Sequence, residues 1–111
     1  MKTPESYEKA AVKKYLDSIG AFYFSPYMAG YGKRGVPDIV ACIMGHFWGL
    51  ELKRPGGKPT ALQKACMAEI LGSNGLVAWG TAEDVIGKVR RWWEPRVLGT
   101  MTKHGSFSST S

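Results

Sequence analysis

Cysteine, histidine and acidic residues are scarce in this chain, and each shortage closes off a class of function. The 111 residues include 2 cysteines, Cys42 and Cys66, and 2 histidines, His46 and His104. Two cysteines cannot build a disulfide scaffold, and no C-x-x-C pair is present to hold zinc. So little cysteine is expected of a reducing compartment such as the cytoplasm. No apolar run approaches the ~18 residues that a membrane span needs. The opening Met1-Lys2-Thr3-Pro4-Glu5 carries charge but no apolar stretch of the secretory kind. No internal repeat or polybasic tail stands out either. What is present suffices for one ordinary core: 44% of residues are hydrophobic and 22% charged, which excludes a disordered chain. The length allows one domain.

Acids are outnumbered, 9 Asp plus Glu against 15 Lys plus Arg, for a net charge of +6. Such an excess favours a polyanionic partner, nucleic acid ahead of an anionic membrane surface.

Hydrophobic spacing divides the chain into seven elements. Thr3-Pro4 reads as an N-cap with proline at the first helical position. Val12, Tyr15, Leu16 and Ile19 continue at helical spacing as far as Gly20. Ala21 to Phe24 is strand-like, and a glycine-rich loop follows from Met28 to Gly35. Val36 to Ile43 and His46 to Lys53 read as a hairpin turning at Met44-Gly45. Thr60-Ala-Leu-Gln63 carries a capping-box pattern, opening a helix whose apolar stripe is Leu62, Cys66 and Ile70. Leu76 to Trp79 reads as a short buried strand. A last helix is expected from about Thr81 to Trp93, closed by Pro95, with at least one of Trp92 and Trp93 on the core. Cys42 and Cys66 read as small buried hydrophobes. The order α-β-β-β-α-β-α implies a mixed α/β sheet flanked by helices, its last strand parallel to its neighbour. The domain is taken as residues 1–95, with residues 96–111 as a Gly/Ser/Thr-rich tail.

The hairpin carries the chemistry. With a two-residue turn at Met44-Gly45, Ile43 faces His46 and Asp38 faces Glu51. Opposed residues have Cβ atoms ~5 Å apart on one face of a sheet. Period-two alternation puts Lys53 on the same face as Glu51. The register is conditional, because methionine is a poor residue for the positive φ of a type I′ turn. A bulge at Gly45 would shift the pairing by one. Two opposed carboxylates repel, and a divalent cation offsets that repulsion directly. Oxygen ligands suit Mg²⁺ or Mn²⁺, whose shell is completed by water and often by a substrate phosphate. That combination describes metal-assisted phosphodiester hydrolysis.

Gly35-Val-Pro-Asp38, then Glu51-Leu-Lys53, then Gln63 in T-x-x-Q, together resemble the VRR-NUC family, the virus-type replication-repair nucleases, within the PD-(D/E)xK nuclease superfamily. The resemblance spans the first helix to the last and is carried by the combination of motifs. It implies a restriction-endonuclease-like fold and a metal-dependent endonuclease acting on DNA in a bacterial or phage-infected cell. Small members imply a homodimer that cuts branched DNA such as Holliday junctions. Carried over residue by residue, Asp38 and Glu51 would bind the metal with the backbone carbonyl of Leu52. Lys53 would orient or help deprotonate the attacking water, or stabilise charge on the phosphate. Gln63 would line the site, unless its side chain is used by the capping box. The family also carries an acid on the first helix. Distance in sequence favours Glu5 for that place, whereas Glu8, one turn before Val12, is favoured by geometry. Glu5 is the choice made here. Tyr31, Lys33 and Arg34 precede the Asp38 strand, and Arg54 and Lys58 follow Glu51. These two basic loops are expected to flank the metal and contact the phosphate backbone. A different class of function, a non-catalytic nucleic-acid-binding module on the same fold, is the competing expectation.

Overall fold

The computed structural model describes residues 4–27 and 32–104, with side chains as far as Thr100. Helix α1 spans Pro4–Ser18, followed by strands β1 (Phe22–Phe24), β2 (Ile39–Ile43) and β3 (His46–Leu52). Helix α2 (Ala61–Gly72), strand β4 (Leu76–Gly80) and helix α3 (Ala82–His104) complete the order α-β-β-β-α-β-α. The strands form one sheet in the order β1-β2-β3-β4. β1, β2 and β3 are antiparallel neighbours, and β4 lies parallel to β3 after the α2 crossover. This is the expected mixed sheet. No helix among the described residues is long and apolar enough to cross a membrane.

Alternation along the strands creates the core. Ile39, Ala41 and Ile43 of β2 share a face with Trp48, Leu50 and Leu52 of β3, and all six are buried. Val12 and Leu16 of α1 and Val85 and Val89 of α3 close over this face. Each such side chain contributes about 1.5–3 kcal/mol through burial. Helix α2 covers part of the opposite face. It sits close because β3 has no side chain at Gly49, where a Cβ would stand 2.7 Å from Ile70 and 2.8 Å from Pro37. The first turn of α2 also packs on Gly35, whose φ is +75° and whose Cβ would overlap the Leu62 carbonyl. The glycine and the proline of Gly35-Val-Pro-Asp38 thus both serve to dock α2 beside the start of β2.

The structure corrects several sequence expectations. Helix α3 does not stop at Pro95 but runs through it to His104. An internal proline forfeits one backbone hydrogen bond. Here the Arg96 guanidinium bridges that turn, donating to the Trp92 carbonyl at 2.6 Å and lying 4.3 Å from the Trp92 ring. Trp93 and Val97, one turn apart, line a crevice with Ile19 and Ile43, which extends the helix's apolar contact beyond the proline. Residues 96–104 therefore continue α3, and residues 105–111 of the expected tail lie outside the described residues. Cys42 and Trp79 are exposed rather than buried, because α2 covers only part of its face of the sheet, and Leu62 of the expected α2 stripe is exposed as well. Trp92 and Trp93 both pack against the core, with Trp92 edge-on to Trp48 and His46.

The hairpin turn has the expected length despite its unsuitable residue. Met44 adopts φ +51° and Gly45 φ +80°, and Ile43 pairs with His46. A left-handed methionine costs about 1–2 kcal/mol relative to a residue that tolerates this region. Met44→Asn is therefore expected to raise stability by about 0.5–1 kcal/mol, read as a higher urea midpoint at unchanged slope. Gly35→Ala is expected to lower it by about 1–3 kcal/mol in the same measurement.

Candidate active site

Asp38 lies immediately before β2, and Glu51 is the penultimate residue of β3. The backbone ladder runs from Ile43–His46 to Ile39–Leu50, so the next pair in register is Asp38 and Glu51. Side chains take over from the backbone at that point. The Asp38 N–H donates to Glu51 Oε1 at 3.1 Å, and the Leu52 N–H donates to Asp38 Oδ2 at 2.9 Å. Each carboxylate is therefore pinned through one oxygen by an amide of the opposite segment. The Lys53 N–H donates to the Gly80 carbonyl at 2.7 Å, which ties the residue after β3 to the end of β4.

The two remaining oxygens define the chemistry. Glu51 is 1% exposed, and its Oε2 has no hydrogen-bond partner among the described residues. Lys53 Nζ stands 4.0 Å from that oxygen, its side chain largely buried. Asp38 Oδ1 is met by Lys9 Nζ of α1 at 3.4 Å. Burial, and secondarily the neighbouring Asp38 carboxylate, push the Glu51 carboxyl up to about 8, while Lys53 and the Asp38 amide pull the other way. A buried carboxylate oxygen left without a donor carries an unmet desolvation cost. A divalent cation between the two carboxylates would meet it, and oxygen donors are the ligands Mg²⁺ and Mn²⁺ prefer. Among the described residues no group of three His, Cys, Asp or Glu side chains could hold a metal. Such an ion would draw the rest of its shell from a backbone carbonyl, water and substrate.

The other sequence candidates separate into groups. Glu5 lines a cleft of about 430 Å³ with Pro4, Lys53, Arg54, Gly57 and Lys58. Glu8 faces elsewhere: its Oε1 accepts the Ala82 N–H at 2.7 Å and caps the start of α3. Geometry therefore gives the two helix-one acids different surroundings, and only Glu5 shares the cleft with Lys53. Gln63 completes the capping box, its Oε1 accepting the Thr60 N–H at 2.8 Å while Thr60 Oγ1 accepts the Gln63 N–H. Lys33 pairs with Glu69 of α2 at 3.2 Å and lines an apolar groove, not the cleft that Lys53 lines. Arg34 is exposed in the turn before Asp38, and Tyr31 lies outside the described residues.

Lys9 is the participant that sequence reading missed. It lies one turn before Val12 and two before Leu16, so a cation was visible on the buried stripe of the helix.

The raised Glu51 pKa has a stability consequence in metal-free buffer. The folded chain holds the Glu51 proton up to about pH 8, whereas the unfolded chain releases it near the ordinary glutamate value of 4.5. Protonated Glu51 favours the fold, and this contribution is lost as pH rises through about 8. Glu51→Gln, neutral at every pH, is therefore expected to gain stability on the wild type as pH rises from about 4.5 to about 8 and to keep that gain above it, read as the difference of their melting temperatures with EDTA present.

No protein-family model matches the sequence, and no curated protein does. Solved structures do match. One described as "VRR_NUC domain" superposes with a TM-score of 0.71 at 18% identity, covering 83% of this chain and 100% of that one. Another, "VRR_NUC domain protein", gives a TM-score of 0.65 at 17% identity, covering 85% of this chain and 91% of that one. Agreement over so much of both chains, at so low an identity, is agreement of fold. The mixed four-stranded sheet that brings Asp38, Glu51 and Lys53 to one place is the fold of the VRR_NUC domains.

Proposed function

We propose that this chain is a VRR-NUC family nuclease, a metal-dependent endonuclease that hydrolyses DNA phosphodiester bonds. The reading is carried by one observation: Asp38 and Glu51 are pinned to each other's segments, with one oxygen of Glu51 left without a hydrogen-bond donor beside Lys53. Asp38, Glu51 and the Leu52 carbonyl would hold Mg²⁺ or Mn²⁺. When bound, such an ion polarises the phosphate and lowers the pKa of a coordinated water.

The chain's own residues supply the rest. Lys53, held at the end of the sheet by the hydrogen bond its backbone N–H donates to the Gly80 carbonyl, presents a positive charge beside the carboxylates. There it orients the attacking water and stabilises negative charge on the phosphate. Glu5 faces the same lysine across the cleft and adds a carboxylate to its surroundings. Arg54 and Lys58 line that cleft and hold the DNA backbone by its phosphates. Arg34, exposed in the turn before Asp38, adds a further positive charge, whereas Lys33 is already paired with Glu69. The side chain of Gln63 is committed to the capping box of α2 and is assigned no part in the chemistry. The excess of basic residues draws the polyanion in from a distance. Two such sites in a homodimer would be related by a two-fold axis, which suits symmetric cuts in branched DNA such as a Holliday junction.

The test is cleavage of labelled duplex, single-stranded, flap and four-way-junction DNA with Mg²⁺, Mn²⁺ or EDTA. Metal-dependent cleavage is expected, falling by about 100-fold or more in Asp38→Asn, Glu51→Gln and Lys53→Met. The junction is expected to be the best substrate, with a dimer by light scattering. Binding of DNA without cleavage under either ion would replace this reading by a non-catalytic binding module. Full activity in Asp38→Asn or Lys53→Met would place the active site elsewhere.

A further inference from the structure

We propose that Lys9 is a displaceable cation of the metal-free site: its ammonium holds Asp38 Oδ1 until a divalent ion takes its place. The inference rests on the metal-site reading above and concerns a residue which that reading does not use. Four carboxylate oxygens meet here. Two accept backbone amides, at 3.1 and 2.9 Å. The other two each face a lysine, Glu51 Oε2 with Lys53 at 4.0 Å and Asp38 Oδ1 with Lys9 at 3.4 Å. The positions a metal ion would need are thus fronted by ammonium groups, and the positions it does not need are pinned by the backbone.

The two lysines differ in their freedom to leave. Lys53 has 12% of its side chain exposed, whereas Lys9 has 39% and reaches in from α1 on a flexible stem. An ammonium is a point charge without fixed bonding directions, unlike the planar fork of an arginine. Lys9 can therefore swing out by rotating side-chain bonds while α1 stays seated through Val12 and Leu16. Without it, the Asp38 carboxylate would have no ion-pair partner among the described residues and would stand unscreened beside Glu51. The lysine keeps the carboxylates together without metal, and metal binding must overcome it.

The experiment is a Mn²⁺ titration of the full chain without DNA, followed by calorimetry and by the melting temperature. Lys9→Met removes the charge and keeps the length of the side chain. It is expected to bind Mn²⁺ about 3–10-fold more tightly than wild type, and to melt lower in EDTA with the gap closing at saturating Mn²⁺. Lys9→Gln guards against a packing defect of the methionine variant and should tighten binding likewise. Lys88→Met makes the same charge change on the exposed face of α3 and should leave Mn²⁺ affinity unchanged. Equal or weaker Mn²⁺ binding by both Lys9 variants, with binding by wild type intact, overturns this inference alone. So does an equal gain in Lys88→Met, which would make the effect one of net charge. Failure of every chain, wild type included, to bind Mn²⁺ removes the metal-site reading and this inference with it.

Discussion

Everything at the site depends on the exchange of hydrogen bonds between two backbone amides and two carboxylates where the β2–β3 hairpin ends. A regular antiparallel ladder continues by pairing backbone with backbone. Here the strands part after Ile39–Leu50, and Asp38 and Glu51 complete the pairing with their side chains. Two like charges are thereby drawn together by the forces that hold a hairpin. The repulsion is not removed. It is deferred to the two oxygens left over, and together with the burial of Glu51, the larger cause, it makes that carboxyl resist ionisation.

The surrounding structure serves this arrangement. A large core on one face, from α1, α3 and the odd positions of β2, supplies the stability from which a strained polar cluster can be supported. The thin cover on the other face follows from Gly35, Gly49 and Pro37, which let α2 approach closely at the site end while leaving Phe24, Phe47 and Trp79 exposed. The site stands on the end of two central strands, where the backbone is fixed from both sides. That rigidity suits chemistry in which the placing of charge decides the rate.

Much of this was legible in the residues. The hairpin register followed from alternation and from a turn of two residues, even though Met44 is a poor occupant of that turn. Packing along the whole hairpin outweighed one unfavourable dihedral. The capping box of α2 was readable because its pattern is local, and the same locality explains why Gln63 is engaged there. Two things were not readable. The continuation of α3 past Pro95 depends on Val97 lining a crevice with Ile19 and Ile43 across the fold, while Arg96 spans the turn to Trp92, and a rule about proline contains neither. The ion pair of Lys9 with Asp38 joins residues distant in sequence, and nothing in the spacing of α1 alone announces it. Glu8 shows the same limit, since its partner, the amide of Ala82, lies at the far end of the chain.

That Glu8 contact also decides where an anion can dock. The open end of a helix, with its unpaired amides, is a natural seat for a phosphate. Glu8 occupies the start of α3, where Thr81 and Asp84 bond to each other as well. Thr60 and Gln63 close the start of α2 in the same way. Two helices that begin near the sheet are thus already sealed by the protein's own oxygens. The positive charge of the cleft is carried instead by the flexible side chains of Lys53, Arg54 and Lys58, which conform to an anion of variable shape more readily than a fixed ring of amides can.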